Sequence, residues 1–183
     1  MKENLSQLLE SIYGNPIQIK SFEAIGGGCI NETQALKLSN GERVFLKSNP
    51  SAPKNFFTAE ADGLRLLERS KNGPSVPRPL GISTESNPQF LLLEYIESSS
   101  PKVGFASRFG QALAEMHRET QEQYGLDYDN FIGKTVQKND LESDGLVFFR
   151  EHRIRFQQEL ARKTRGLPTS MDKRLDMFCE KLE

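Results

Sequence analysis

The segment ERVFLKSNPSAPKNFFTAE, Glu42 to Glu60, sets two charged side chains where apolar ones are expected, and its reading decides the fold. Val44 and Leu46 alternate with Phe45 and Lys47, a strand pattern in which Lys47 shares a face with Phe45. After Pro50 and Pro53 the period becomes helical over KNFFTAEADGLRLLERS, and Glu60 falls between Phe56, Phe57, Leu64 and Leu67 in the middle of the apolar stripe. An unpaired charge taken out of water costs several kcal/mol, so each group requires an opposite partner, and the economical solution is that they pair with each other. The alternative is that Lys47 snorkels to solvent and Glu60 lies at the stripe's edge.

Working outward, IQIKSFEAI and INETQALKL precede this segment as two further strands, and Asn40-Gly41 is a hairpin signal, so a three-stranded meander opens the domain. Between the first two strands lies GGGCIN, Gly26 to Asn31. Three glycines in a row leave the main chain bare, as a tight turn or a phosphate cradle would need. Downstream, Asn72-Gly73-Pro74 closes the helix, VPRPLGIS resumes the strand pattern, and QFLLLEYI is a continuous apolar run suited to a buried strand. Residues 97–104, ESSSPKVG, read as a linker. Beyond it the period is helical: Phe105, Phe109, Ala112, Leu113 and Met116 predict a helix that buries one face. Residues 125–145 read as loop. A helix is expected from Leu146 to Arg165 and another from Met171, whose apolar positions Leu175, Phe178 and Leu182 run on to Glu183 without a glycine or proline stop. The chain is therefore expected to be truncated within its second lobe.

Length and composition bound the function. At 183 residues the chain can bury a core, and 24 basic against 25 acidic side chains leave no electrostatic footprint for nucleic acid or an anionic membrane. The opening MKENLSQLLESIYG places Leu5, Leu8, Leu9 and Ile12 on one helical face and lacks the features of a secretory signal, and no later run is apolar enough to span a bilayer. Cys29 and Cys179 are far apart and in no metal-type spacing, which suits a reducing cytoplasm. Asp127, Asp129 and Asn130 depart from a calcium-loop spacing and read as an Asx-stabilised turn. The arginines between Arg150 and Arg165, interrupted by Glu151 and Glu159, read as a solvated helix face.

A glycine-rich turn, a lysine on the third strand, a helix bearing a carboxylate and a buried strand leading to a linker resemble, in that order, a protein-kinase-like small lobe. No Walker A motif is present, and Asn31 stands where a protein-kinase loop has its third glycine. GGGCIN, FLK, FTAEADGLRLL, VPRPLG, FLLLEYI, FGQALAEMH and YDNFIG together resemble the fructosamine (ketosamine) kinases, relatives of the aminoglycoside phosphotransferases, from about Ser21 to about Arg155. The resemblance implies an α+β fold: a nucleotide-binding lobe of antiparallel sheet plus one helix (1–96), the linker 97–104, and an incomplete helical lobe (105–183). It implies ATP-dependent phosphorylation of a sugar hydroxyl on a small-molecule or protein-bound ketosamine, a deglycation repair. By the same resemblance Gly26, Gly27, Gly28, Cys29, Ile30 and Asn31 would cover the ATP phosphates, Lys47 would contact them, Glu60 would orient Lys47, and the backbone near Glu94, Tyr95 and Ile96 would hold adenine.

The sequence departs from the family where no tryptophan or other aromatic precedes Phe148-Phe149. Neither histidine can open a catalytic loop: His117-Arg118-Glu119 has glutamate for aspartate, and His152-Arg153-Ile154 has no acid. The catalytic loop and the magnesium ligands are therefore expected beyond Glu183, and the 183-residue chain is expected to be inactive. The alternative function is a non-catalytic nucleotide-binding or regulatory fragment. Cys29, in a turn whose amides favour a thiolate, is the redox candidate, and by the resemblance it could join two copies in a homodimer. Cys179 beside Phe178 reads as a packing residue.

Overall fold

Five strands alternate their side chains between a helix-covered face and a pocket face in the computed structural model, which describes residues 2–26, 30–164 and 166–182. The elements run α1 (Lys2–Tyr13), β1 (Ile19–Ala24), β2 (Glu32–Leu38), β3 (Arg43–Asn49), α2 (Phe56–Glu68), β4 (Pro79–Ser83), β5 (Gln89–Glu94) and α3 (Phe105–Met116). All neighbouring strands are antiparallel, in the order β1-β2-β3-β5-β4. The meander and its Asn40-Gly41 turn form as expected, with the Leu38 N–H donating to the Glu42 carbonyl at 2.8 Å.

The core lies between α1 and one sheet face. Leu5 and Leu9 meet Leu36, Leu38, Val44, Leu46, Phe90 and Leu92, all fully buried, with Leu8 and Ile12 packed at the margin. Truncating Leu9 to alanine at such a site typically costs ~2–5 kcal/mol. The approach is close: a Cβ on Gly81 of β4 would meet a Leu8 methyl at 2.9 Å, so a larger residue there would require the Leu8 side chain to shift. The opposite face carries Phe45, Lys47, Leu91 and Leu93, and α2 lies against β4 and β5 on that side. β5 is thus buried on both faces, which is why its sequence shows no alternation.

The chain divides into two compact units, Met1–Glu119 and Thr120–Glu183, so α3 belongs to the first. No residue of α3 is fully buried, and Phe105 and Phe109 are 50% and 46% exposed while stacking on each other at 5.8 Å. The expectation that this helix buries one face holds only for its C-terminal half: Ala112, Leu113 and Met116 are partly buried, with the Met116 methyl beside Gly73, while the Phe105–Phe109 end is about half exposed.

The second unit holds β6 (Asn130–Ile132), β7 (Thr135–Gln137), α4 (Gly145–Phe148), a π-helical stretch Phe149–Arg155, α5 (Phe156–Lys163) and α6 (Thr169–Glu180). Residues 125–145 are therefore not simply loop. They contain the β6–β7 hairpin, and Glu142 bridges to Tyr124 just before them, pairings too short to leave a periodic signal. The helix expected over 146–165 forms over 145–163 with a π-helical interruption, capped by the Asp144 carboxylate accepting from the Leu146 N–H at 2.7 Å. α6 ends at Glu180 with no glycine or proline to stop it, the Lys181 N–H donating to the Phe178 carbonyl at 3.1 Å. Among the described residues no helix is long and apolar enough to cross a membrane.

Candidate functional site

Two elements built for different reasons meet at Lys47 and Glu60. Strand alternation sends Lys47 to the face away from α1, between Thr33 of β2 and Leu91 of β5, while the stripe of α2 carries Phe57 into the core and Glu60 with it. The Lys47 ammonium and the Glu60 carboxylate form an ion pair, with the side chains 21% and 27% exposed. The pairing removes the snorkelling alternative. A pair largely withdrawn from water has strong mutual attraction and a substantial desolvation cost, so it stays intact only while both members are present.

Around the pair opens a pocket of about 530 Å³, a volume within the usual range for small-molecule sites. One side is apolar: Phe45 and its cross-strand partner Leu93, Leu64 one turn beyond Glu60, and Pro77 before β4. The other side is the β1–β2 connection, through Ile25, Gly26, Ile30, Asn31 and Thr33. The neck of that connection is closed twice. The Ile25 N–H donates to the Thr33 carbonyl at 2.9 Å, and the Thr33 hydroxyl donates to the Ile25 carbonyl at 2.6 Å. A Cβ placed on Gly26 would meet no heavy atom within 4 Å, so this glycine borders open space rather than packed protein.

Of the expected site residues, the structure brings Gly26, Ile30, Asn31, Lys47 and Glu60 to one pocket. Gly27, Gly28 and Cys29 lie outside the described residues. Glu94, Tyr95 and Ile96 directly follow the lining residue Leu93 but are not themselves among the pocket walls. The Glu94 N–H donates to the Arg78 carbonyl at 2.9 Å, Tyr95 lies under the Arg43 guanidinium at 3.9 Å, and Ile96 is 57% exposed. Sequence reasoning did not assign Phe45, Leu64, Pro77 or Leu93 to the site. Periodicity could have found the first two, since Phe45 shares a strand face with Lys47 and Leu64 a helix face with Glu60. Leu93 needs the β3–β5 register.

In the second unit the polar clusters are structural. Asp129 accepts from the Lys138 ammonium at 2.6 Å, which raises the lysine's pKa, and Asn130 accepts from the buried Asn139 amide at 3.0 Å. These are ties to residues nine and ten positions further on, with Asn130 opening β6, rather than the local Asx hydrogen bonds expected of a turn. Among the described residues no three metal-ligating side chains converge. The arginines do not form a free basic face. Arg153 reaches into this network at the Asn139 carboxamide, where burial lowers its pKa, while Arg155 and Arg162 pair with Asp172 and Asp176 of α6. Charge complementarity between two helices, invisible in a one-dimensional charge run, accounts for the correction. Cys179 is buried as expected, at 1% exposure. His117 is exposed at the end of α3, and His152 lies in the π-helical stretch against Phe148.

Known proteins resemble this chain along most of its length. A Synechocystis sp. protein named as a probable ketoamine kinase is 32% identical over 165 residues, covering 90% of this chain and 55% of its own length. The chloroplastic protein-ribulosamine 3-kinase of Oryza sativa subsp. indica is 35% identical over 163 residues, 87% of this chain and 47% of that protein. The chain thus spans about half the length of the curated relatives it matches. A solved structure from Haemophilus somnus, described as a fructosamine-3-kinase, superposes with a TM-score of 0.87 at 30% identity over 100% of this chain and 61% of that one. The α+β architecture, an antiparallel sheet with helices, is the protein-kinase-like fold. Since the fructosamine kinase family model also matches residues 1–183, the whole length of the sequence, the chain belongs to the fructosamine kinase family.

Proposed function

We propose that the first unit binds ATP in the pocket around Lys47 and Glu60, as the nucleotide half of a kinase that phosphorylates a sugar hydroxyl of ketosamine adducts. The observation that carries this reading is the Lys47–Glu60 ion pair set behind a glycine-rich connection and beside an apolar slot. A lysine held by a carboxylate keeps its ammonium in one place, which is what a polyphosphate contact needs. Main-chain N–H groups between Gly26 and Asn31 would cover the phosphates, and Phe45, Leu64, Pro77 and Leu93 offer walls for an adenine ring whose polar edge would meet the backbone at Glu94, Tyr95 and Ile96. ATP supplies the transferable phosphoryl group. None of the described residues is assigned as a magnesium ligand. The names of the ketoamine and ribulosamine kinases support a ketosamine acceptor, free or on a protein, whose phosphorylation serves deglycation. In this scheme 1–96 is the nucleotide lobe, 97–104 the linker and 105–183 part of the helical lobe, in a cytoplasmic setting.

The second reading, nucleotide binding without transfer, is favoured by the surroundings of the two histidines. His117 ends a helix in solvent and His152 lies within one, so neither opens a loop bearing a catalytic aspartate and asparagine. We therefore expect the 183-residue chain to bind ATP and not to turn it over with a ketosamine. Thermal unfolding tests the binding. ATP at about one hundred times its dissociation constant should stabilise by ~2.7 kcal/mol, roughly 5–10 °C, and Lys47→Ala should abolish the shift. An unshifted transition overturns the nucleotide assignment, and steady turnover of ATP with a ketosamine overturns the inactivity.

A further inference from the structure

Asn49 has no part in the nucleotide reading, yet it is one of the most constrained polar side chains in the first unit. It follows Phe45 and Lys47 as the next residue on the pocket face of β3, and it is 2% exposed. A buried carboxamide must have its donors and acceptor satisfied. The Asn49 oxygen accepts from the Ser51 N–H at 2.8 Å, which fixes the direction in which its NH₂ group points. That NH₂ group donates to the Asn31 carboxamide oxygen at 3.0 Å and to the Ile30 carbonyl at 3.3 Å. The connection from Gly26 to Asn31 is therefore tied at both limbs, at its neck by Ile25 and Thr33 and on its returning limb by a side chain from the strand that carries Lys47. The same bond gives a reason for Asn31 where a protein-kinase loop has glycine: its side-chain oxygen is the acceptor of the tie.

We propose that Asn49 and Asn31 form a latch that holds the Ile30–Asn31 limb of the glycine-rich connection in register with Lys47, making Asn49 a positioning residue for nucleotide phosphates. The proposal rests on the reading that this pocket binds ATP. A loop recognises phosphate through its main chain only when its N–H groups are already aimed, and an untied loop must be ordered at the moment of binding, at the expense of affinity. Phe45, Pro77 and Leu93, the apolar walls, take no part in the Asn49 hydrogen bonds. The latch thus acts on the phosphate end and leaves the adenine end alone.

Calorimetric titration of ATP and of adenosine into the full chain, and into Asn49→Ala, Asn31→Ala and the double variant, tests this. Each single variant should bind ATP about tenfold more weakly, and the double variant no more weakly than either, because one shared interaction has been removed. Adenosine affinity should stay within about twofold throughout, since its walls lie outside the latch. Hydrogen exchange of peptides spanning 25–33 should quicken in the variants while those spanning 89–94 keep their protection. Asn49→Asp, which loses the donor and sets a carboxylate against the Asn31 and Ile30 oxygens, should weaken ATP binding at least as much as Asn49→Ala does. Should Asn49→Ala fail to fold, the partly exposed Asn31→Ala gives the same comparison. Equal losses for ATP and adenosine would make Asn49 merely structural, and unchanged ATP affinity would also overturn the latch. Absence of binding to the unaltered chain would overturn the nucleotide reading and the latch with it.

Discussion

Removing the Glu60 charge while leaving Lys47 in place measures how strongly the first unit depends on their pairing. Glu60→Gln keeps the volume and withdraws the counter-charge, so the ammonium is left in a site where its side chain is 21% exposed. Removing one member of a fully buried pair costs ~3–5 kcal/mol and of a solvent-exposed pair ~0–1 kcal/mol. With both side chains about three-quarters withdrawn from water, a loss of ~2 kcal/mol is expected, a fall of roughly 4–8 °C in Tm for a chain of this length. The double variant Lys47→Met, Glu60→Leu leaves no charge to strand and should recover most of the loss, to within ~1 kcal/mol of the unaltered chain. Urea unfolding followed by circular dichroism measures this, the chain having no tryptophan to report by fluorescence. A Glu60→Gln variant within ~0.3 kcal/mol of the unaltered chain, or a double variant no better than the sum of its singles, would refute the reasoning.

Two further outcomes concern the second unit. Gly125 has φ +114° and a Cβ there would meet the Asn139 carbonyl at 2.5 Å and the Asp140 carbonyl at 2.8 Å, so Gly125→Ala should destabilise by ~2 kcal/mol or more, read by urea unfolding. Asp176 accepts from Gln158 at 2.9 Å, from Arg162 at 3.1 Å and from Arg155 at 2.6 Å, and these partners hold its carboxyl below the usual range. With its folded pKa below the unfolded value of about 3.9, its contribution is complete above that pH and is lost as the pH falls through the folded pKa. Asp176→Asn should remove this part of the acid dependence, which an acid titration of unfolding followed by circular dichroism will show.

The strands, the two-faced burial of β5 and the helical period of α1 and α2 were legible in the sequence because each rests on a local repeat of side-chain direction. Lys47 and Glu60 were legible for a related reason: a charge set in an apolar pattern announces that it has a partner. Tertiary structure decided what depends on register and on packing between elements. The β3–β5 pairing brings Leu93 opposite Phe45, the end of β3 places Asn49 against Asn31, and α6 neutralises arginines that in one dimension read as a solvated face. The exposed Phe105–Phe109 end of α3 belongs with these, since amphipathic period shows which side of a helix is apolar and not whether anything lies against it. Periodicity constrains one element at a time, and a pocket wall is a relation between several. Thus the residue types of the glycine-rich connection were plain from the sequence, while its ties to β3 exist only where hydrogen-bonding distances bring residues from separate strands together.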